Sequence, residues 1–157
     1  MPSDQRKPTM KRPESNALAL DAQLCFAVYS TALSFNKVYR KLLRELDVTY
    51  PQYLVLLVLW EKEGVNVSEI CERLALETTT LTPLLKRLEA QGLVRRTRSA
   101  ADERQVIVTL TKQGEALREK AERIPACVAE ATGLNAAEIR EMRTRMLNLR
   151  GSLGDYT

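Results

Sequence analysis

The sequence contains no histidine, and this absence removes several kinds of catalytic site. Serine and cysteine nucleophiles that rely on a histidine base are excluded, as are the common zinc sites with imidazole ligands. The six glycines are scattered, and none belongs to a GxGxxG or GxxxxGKS/T phosphate-binding loop. The composition therefore argues against most enzyme classes, and we expect neither a cofactor nor a bound metal.

Long hydrophobic runs and export signals are also missing. No uncharged apolar run reaches the roughly eighteen residues that a membrane-spanning helix needs. Residues 1–16, MPSDQRKPTMKRPESN, are polar and lack an apolar core, so we interpret them as a disordered leader and not a signal peptide. Without export, the protein is expected in the cytoplasm with its three cysteines reduced. Its net charge of +4 is compatible with a polyanionic partner.

The remaining residues, 17–157, are predicted to form a single domain that is mostly helical. Apolar residues recur at helical spacing over 17–46, which predicts one long amphipathic helix. Pro51 suits the first turn of a second helix, whose apolar residues on nearly every side predict a buried position. Two shorter helices follow, and in the second of them, TTTLTPLLKRLEAQG, Pro83 fits only near the start or as a kink.

The pattern then changes to alternation typical of strands. LVRRTRSAADERQVIVTL ends in β-branched residues and has a small, polar break in its middle, which predicts a β-hairpin. Thr111 begins another helix, which continues past Pro125 either kinked or restarted. A final amphipathic helix begins at Asn135, which has Glu138 three residues later in capping-box spacing.

This order of elements predicts a winged helix-turn-helix, a mostly α fold with a small β-hairpin wing (α+β). The DNA-binding lobe would span about 51–111, between N- and C-terminal dimerisation helices at 17–46 and 112–153. The threonine-rich helix would enter the major groove of DNA through its N-terminal residues. Between residues 78 and 104, six basic residues stand against three acidic ones. A solvated helix face and hairpin would carry a similar charge, so that alternative stays open. The predicted DNA-contacting residues of this helix are Thr78, Thr79, Thr80, Thr82, Lys86 and Arg87.

The segment LTPLLKRLEAQGLVRRTRSAADERQVIVTLTKQG closely resembles the recognition helix and wing of MarR-family transcriptional regulators. The family's signature is D-x-R, here Asp102 to Arg104, followed by LT. The resemblance implies that Arg104 enters the minor groove, that Asp102 braces the wing, and that Arg96 and Arg98 contact phosphates. It covers roughly residues 18–153.

The N-terminal helix is similar to that of a narrower group, the OhrR repressors that sense organic hydroperoxides. That group has a reactive cysteine in QLCFA, with tyrosines four, fourteen and twenty-five residues later. These positions are Cys25, Tyr29, Tyr39 and Tyr50 here. The resemblance implies that organic hydroperoxides oxidise Cys25 and that the tyrosines donate hydrogen bonds to the thiol or pack against it. The sequence departs from the group at residues 77–79, Glu-Thr-Thr, which leaves the operator sequence open.

The spacing of this set has a geometric consequence. Cys25 and Tyr39 lie fourteen residues apart in the predicted helix, or about 21 Å along its axis. They can meet only if a second copy of the helix packs antiparallel, with the two-fold axis near Ala32. The spacing therefore predicts a homodimer, which a pseudo-palindromic operator on double-stranded DNA also requires.

The other two cysteines have separate interpretations. Cys71 lies within the short helix before the recognition helix and is expected to be a buried structural residue. Two-cysteine members of the OhrR group resolve the sulfenic acid with a thiol from the partner subunit. Cys127 lies in the corresponding region, about one helical turn before the group's position, so either Cys127 or a small cellular thiol resolves Cys25.

Three functions compete at this point. The first is a repressor that organic hydroperoxides inactivate through Cys25. The second is a MarR-type repressor released by a small phenolic ligand, with Cys25 an incidental small hydrophobe and the tyrosines ordinary core aromatics. The third, a thiol peroxidase, is disfavoured because no thioredoxin-like βαβ pattern occurs. The sequence therefore predicts a DNA-binding repressor and not an enzyme.

Overall fold

The computed structural model describes residues 16–157, so the predicted leader lies outside the described residues except for Asn16. The chain divides into two compact units, one ending at Phe35 and the other beginning at Asn36. Helix α1 (Leu24–Leu42) begins in the first unit, after a 3-10 turn at Leu20–Ala22. Among the described residues, no helix has the length and hydropathy that spanning a membrane requires.

The second unit contains a helix-turn-helix and a small antiparallel sheet. Its elements after α1 are a 3-10 turn (Leu43–Leu46), α2 (Tyr50–Glu61), β1 (Val65–Asn66), α3 (Val67–Leu74), α4 (Thr78–Ala90), β2 (Val94–Arg98), β3 (Val106–Leu110), α5 (Lys112–Ala121), α6 (Ile124–Thr132) and α7 (Ala136–Tyr156). The strands run in the order β1-β3-β2, with Val65 paired to Val108 and Val94 to Leu110. The mostly helical fold with a β-hairpin wing is thus confirmed.

Helix α2 forms the centre of the second unit, as its apolar sequence predicts. Thr49 caps it in a capping box with Gln52, and Pro51 occupies its first turn. The indole Nε1 of Trp60, near its end, donates a hydrogen bond of 3.1 Å to the Gly114 carbonyl of α5. The largest fully buried side chains around it are aliphatic: Leu43, Val55, Leu56, Val65, Ile70, Leu81, Leu85, Leu88, Val108 and Ile124. This core holds α4 and the hairpin in place.

The helix before Pro125 restarts as α6 at Ile124, which is one of the two alternatives predicted from the sequence. Two other features differ from the sequence-based expectations. The predicted helix over 17–46 is not continuous, because 3-10 turns flank α1 on both sides, and Asp47 then adopts a left-handed conformation (φ 52°) that redirects the chain toward α2. The two-residue strand β1 was not predicted, because so short a strand has no alternation and is defined only by its partner.

Candidate functional site

The first turn of α4 presents a row of exposed threonines. The carbonyl of Glu77, the N-cap residue, accepts from the amides of Thr80 and Leu81. The Thr82 hydroxyl donates to the Thr78 carbonyl at 2.8 Å, and the Thr78 hydroxyl lies 3.8 Å from the Cys71 sulfur. The remaining two hydroxyls, of Thr79 and Thr80, make no hydrogen bond to other described residues. These two are therefore the threonines of α4 best placed to donate to an external acceptor.

The rest of α4 separates an apolar face from a basic one. Four leucines at helical spacing are buried against the core: Leu81, Leu84, Leu85 and Leu88. Lys86 and Arg87 are exposed, and neither pairs with a carboxylate of the described residues. Two uncompensated cations on the outer face make a surface that attracts a polyanion.

The wing tip is a tight turn held by Asp102. Its carboxylate accepts from the Arg104 amide at 3.0 Å, and its carbonyl accepts from the Gln105 amide at 2.9 Å. The Ser99 amide closes the base of the turn on the Gln105 carbonyl at 2.8 Å. The Arg98 and Arg104 side chains are exposed. Asp102 thus holds the backbone of Arg104 within the turn, and the groove contact of the Arg104 side chain stays a prediction.

Arg96 has a different environment from the other wing arginines. Its guanidinium donates to the Glu89 carboxylate of α4 at 2.8 and 3.0 Å, and its amide donates to the same group at 3.1 Å. These hydrogen bonds from Arg96 lower the pKa of Glu89. Arg96 thus joins strand β2 to the recognition helix, and a phosphate contact by Arg96 stays a prediction. Sequence reasoning did not identify Glu89, since only the folded hairpin brings it to Arg96.

Four aromatic side chains cluster in the second unit. Tyr39 of α1 stacks on Tyr50 of α2 with ring centroids 4.0 Å apart. Tyr53 lies 5.9 Å from Tyr39 and 6.4 Å from Tyr50, and Trp60 packs edge-on against Tyr53 at 6.3 Å. The structure thus brings Tyr39 and Tyr50 together, and their role at the Cys25 thiol stays a prediction. Tyr53 was missed, although its position three residues after Tyr50 on a helix was a usable signal.

Burial raises the pKa of Tyr39 above its ordinary value, and the nearby Tyr50 and Tyr53 raise it further. Burial also raises the pKa of Tyr50 and of Tyr53. The three phenols therefore keep their protons throughout the physiological pH range. A protonated phenol can donate a hydrogen bond to an anion, whereas a phenolate cannot.

The tyrosine cluster predicts a loss of stability at alkaline pH. Tyrosine titrates near pH 10 in an unfolded chain, so above about pH 10 the folded state holds more protons than the unfolded state. The stabilisation is complete below that pH and is lost as the pH rises through the raised pKa values of the folded state. Urea midpoints at about pH 8 and 10.5 should fall less for Tyr39→Phe than for the wild type. Equal losses in the two proteins would contradict this assignment.

Cys25 and Tyr29 lie in the first unit, one helical turn apart on α1. Both are exposed, and Cys25 is the second residue of the helix. Large apolar side chains around them are also exposed: Leu20, Leu24, Phe26, Val28, Leu33 and Phe35. Cys71 and Cys127 lie in the second unit and are partly buried free thiols, so Cys71 is less buried than predicted.

No group of three or more cysteine and carboxylate side chains within residues 16–157 is arranged to hold a metal ion. The functional groups described above are thiols, phenols and cationic surface groups. The cations lie on α4 and the wing, and the protonated phenols lie in the cluster between α1 and α2.

The chain resembles known regulators over most of its length. The family model described as transcriptional regulator SarA/Rot matches residues 37–123, more than half of the chain. The HTH-type transcriptional regulator TtmR of Methylorubrum extorquens (strain PA1) is 52% identical over 135 residues, covering 86% of this chain and 69% of that protein. The organic hydroperoxide resistance transcriptional regulator of Bacillus subtilis (strain 168) is 42% identical over 132 residues, covering 84% of this chain and 90% of that protein.

Solved structures of regulators bound to DNA are similar to this chain in both fold and sequence. The structure of reduced AbfR bound to DNA superposes with a TM-score of 0.71 at 37% identity, covering 87% of this chain and 93% of that one. The overoxidized form of AbfR, also bound to DNA, has a TM-score of 0.67 at 40% identity. The chain therefore belongs to the MarR/SarA-like winged-helix family and is a DNA-binding transcriptional regulator, not an enzyme.

Proposed function

We propose that the protein is a homodimeric repressor that senses organic hydroperoxides by oxidation of Cys25 and then releases its operator. The observation that carries this proposal is the set Cys25, Tyr29, Tyr39 and Tyr50, in which Tyr39 stacks on Tyr50 and both phenols stay protonated. The similarity to the organic hydroperoxide resistance regulator of B. subtilis supports the same function.

The oxidation of Cys25 to a sulfenic acid requires only its thiolate and a hydroperoxide. The Cys25 thiolate attacks the terminal oxygen of the hydroperoxide, the O–O bond breaks, and the alkoxide leaves as an alcohol after taking a proton. The product is a sulfenic acid, which a second thiol converts to a disulfide with release of water. Phenol donors next to the sulfur stabilise its negative charge, and the exposed apolar residues of α1 favour an apolar peroxide over hydrogen peroxide.

A homodimer explains two otherwise unpartnered apolar faces. In the first unit, the exposed apolar residues of α1 surround Cys25. In the second unit, α7 carries apolar residues at alternating spacings of three and four, the pattern of a helix-packing seam: Ile139, Met142, Met146, Leu149, Leu153 and Tyr156. A two-fold interface through these faces would bury them and set Cys25 of one chain against Tyr39 of the other. It would also present two recognition helices to two half-sites of a pseudo-palindromic operator.

The proposal is tested by operator binding before and after treatment with cumene hydroperoxide. Fluorescence anisotropy should show tight binding by the reduced protein, loss of binding after about one equivalent of peroxide, and recovery with dithiothreitol. Intact-mass spectrometry of the same samples should show an oxidised product that is absent from Cys25→Ser treated in the same way. Operator binding that is insensitive to the hydroperoxide contradicts the proposal.

A specific cavity supports a second candidate function, release by a small phenolic ligand. The cavity has a volume of about 790 Å³ and lies beside α2 in the second unit. Three arginines and Tyr50 are among its lining residues: Arg40, Arg44, Arg87 and Tyr50. Salicylate offers a phenol and a carboxylate that suit this lining. If salicylate raises the melting temperature and releases the operator even in Cys25→Ser, this second function is correct.

Lys86→Ala is expected to weaken operator binding through a lost phosphate contact. Lys86 is an exposed cation on the outer face of α4, so its removal should lower the slope of log Kd against log salt by about one. The effect should be similar for operator and unrelated DNA. A slope that stays unchanged while base preference shifts would assign Lys86 to base recognition instead.

Cys127→Ser tests which thiol resolves the sulfenic acid. If Cys127 of the partner condenses with Cys25, peroxide should produce a covalent dimer on a non-reducing denaturing gel. The band should be absent from Cys25→Ser and Cys127→Ser and present in Cys71→Ser. A Cys127→Ser protein that still releases DNA as a mixed disulfide with a small thiol would instead be a one-cysteine sensor.

A further inference from the structure

A closed set of hydrogen bonds joins the start of α2 to the end of the recognition helix. The Thr49 amide donates to Oε1 of Gln52 at 2.9 Å, and Nε2 of Gln52 donates to Oε1 of Gln91 at 3.0 Å. Nε2 of Gln91 then donates to the Asp47 carbonyl at 2.7 Å. The chain of bonds thus begins and ends in the three-residue loop that precedes α2, and it passes through the C-cap residue of α4.

The burial of Gln52 limits how far the hydrogen-bonded groups can move. Gln52 has 4% of its surface exposed and is the buried polar residue of the described core. A buried amide that loses a partner cannot turn to water, so its hydrogen bonds constrain the groups on either side. Gln91 is also held by its backbone, because its amide donates to the Arg87 carbonyl at 3.0 Å. A shift of the end of α4 relative to α2 would therefore break the partly buried Gln52–Gln91 bond, whereas water can replace the exposed bond from Gln91 to Asp47.

The tyrosine stack acts on the same turn of α2. Tyr50 is the first residue of the helix, between Thr49 and Gln52, and its ring lies 4.0 Å from that of Tyr39. Because Tyr50 lies two residues before Gln52, a separation of the rings that displaces the start of α2 would also move the backbone that carries Gln52. The hydrogen-bonded glutamines would pass that movement to the C-terminal end of α4, whose other end carries the exposed threonines.

We propose that Gln52 and Gln91 are positioning residues that couple the Tyr39–Tyr50 stack to the orientation of the recognition helix. The coupling deepens the proposed function, since it supplies the step between a change beside the tyrosines and the release of DNA. A purely structural role, in which Gln91 only completes the end of α4, would give Gln91 no energetic dependence on Tyr39.

A double-mutant cycle in reduced protein separates the two roles. Operator Kd is measured for wild type, Tyr39→Ala, Gln91→Ala and the double variant, all with dithiothreitol and no peroxide. Coupling predicts that Tyr39→Ala changes Kd and that this change is smaller by about threefold or more in the Gln91→Ala background. The salt slope should stay the same in all four proteins, because no phosphate contact is removed.

Gln113→Ala is the matched control, since Gln113 is an exposed glutamine of α5 outside the hydrogen-bonded set. Its cycle with Tyr39→Ala should be additive. If circular dichroism shows that Tyr39→Ala is unfolded, Tyr39→Leu, which fills more of the space, replaces it. Additivity of the Tyr39 and Gln91 substitutions, or an unchanged Kd in the Tyr39 variant, overturns the coupling. The proposed function has its own test, and it is contradicted if peroxide leaves the operator Kd of the wild type unchanged.

Discussion

Cys25→Ser is expected to abolish the response to organic hydroperoxides while leaving operator binding by the untreated protein intact. Serine has a similar volume, and its hydroxyl cannot form a sulfenic acid. Because Cys25 is exposed on α1, the substitution should not disturb the core. Treated with about one equivalent of cumene hydroperoxide, the variant should keep the operator Kd of the untreated protein, whereas the wild type should lose binding.

Cys71→Ser is the control for this experiment, since its thiol contacts Thr78 at the start of the recognition helix. That variant should still release the operator after peroxide treatment. If Cys25→Ser responds like the wild type and Cys71→Ser does not, the sensing thiol lies within the helix-turn-helix. A response that depends on Cys71 and not on Cys25 would leave the tyrosine cluster without a redox role.

Arg104→Ala is expected to weaken operator binding by about 1–3 kcal/mol, or about five- to 160-fold in Kd. The side chain is exposed at the wing tip, and its amide is held by the Asp102 carboxylate at 3.0 Å. An arginine fixed at this position can enter a narrow minor groove, where the negative potential is enhanced. Kd should be measured by anisotropy at a single salt concentration.

Arg118→Ala is the matched control, because it removes the same charge from α5, which is part of neither α4 nor the wing. It should change the operator Kd by much less than Arg104→Ala. A second variant, Asp102→Ala, should reproduce part of the Arg104→Ala loss if the carboxylate positions the arginine. Equal affinities for wild type and Arg104→Ala would show that the wing tip does not contact the operator.

Local patterns were enough to predict most of the helices and the hairpin. Asn135 and Glu138 form the predicted capping box at the start of α7, and Thr111 caps α5 through the Gly114 amide. Asn66 caps α3 as expected, although Glu69 bonds to Lys62 and does not complete the box. Each of these caps joins residues three apart, so a short stretch of sequence contains both partners of the interaction.

Pro83 shows what local reasoning leaves open. It is the sixth residue of α4, inside the helix and not at its start. An interior proline costs about 3 kcal/mol through its missing amide and its steric clash. Burial of the four leucines of α4, each contributing about 1.5–3 kcal/mol, outweighs that cost. Packing against the rest of the domain therefore determines that α4 stays helical through Pro83.

The contacts that matter most for recognition join residues that are distant in sequence. The sequence by itself determined most of the helices and the hairpin, the basic charge of the wing and α4, and the characteristic spacing of a cysteine and three tyrosines. Only the tertiary structure decided that Gln52 bonds to Gln91, thirty-nine residues away, and that Tyr39 stacks on Tyr50. Such contacts depend on how whole helices pack, because periodicity specifies the buried face of an element and not the residue it meets.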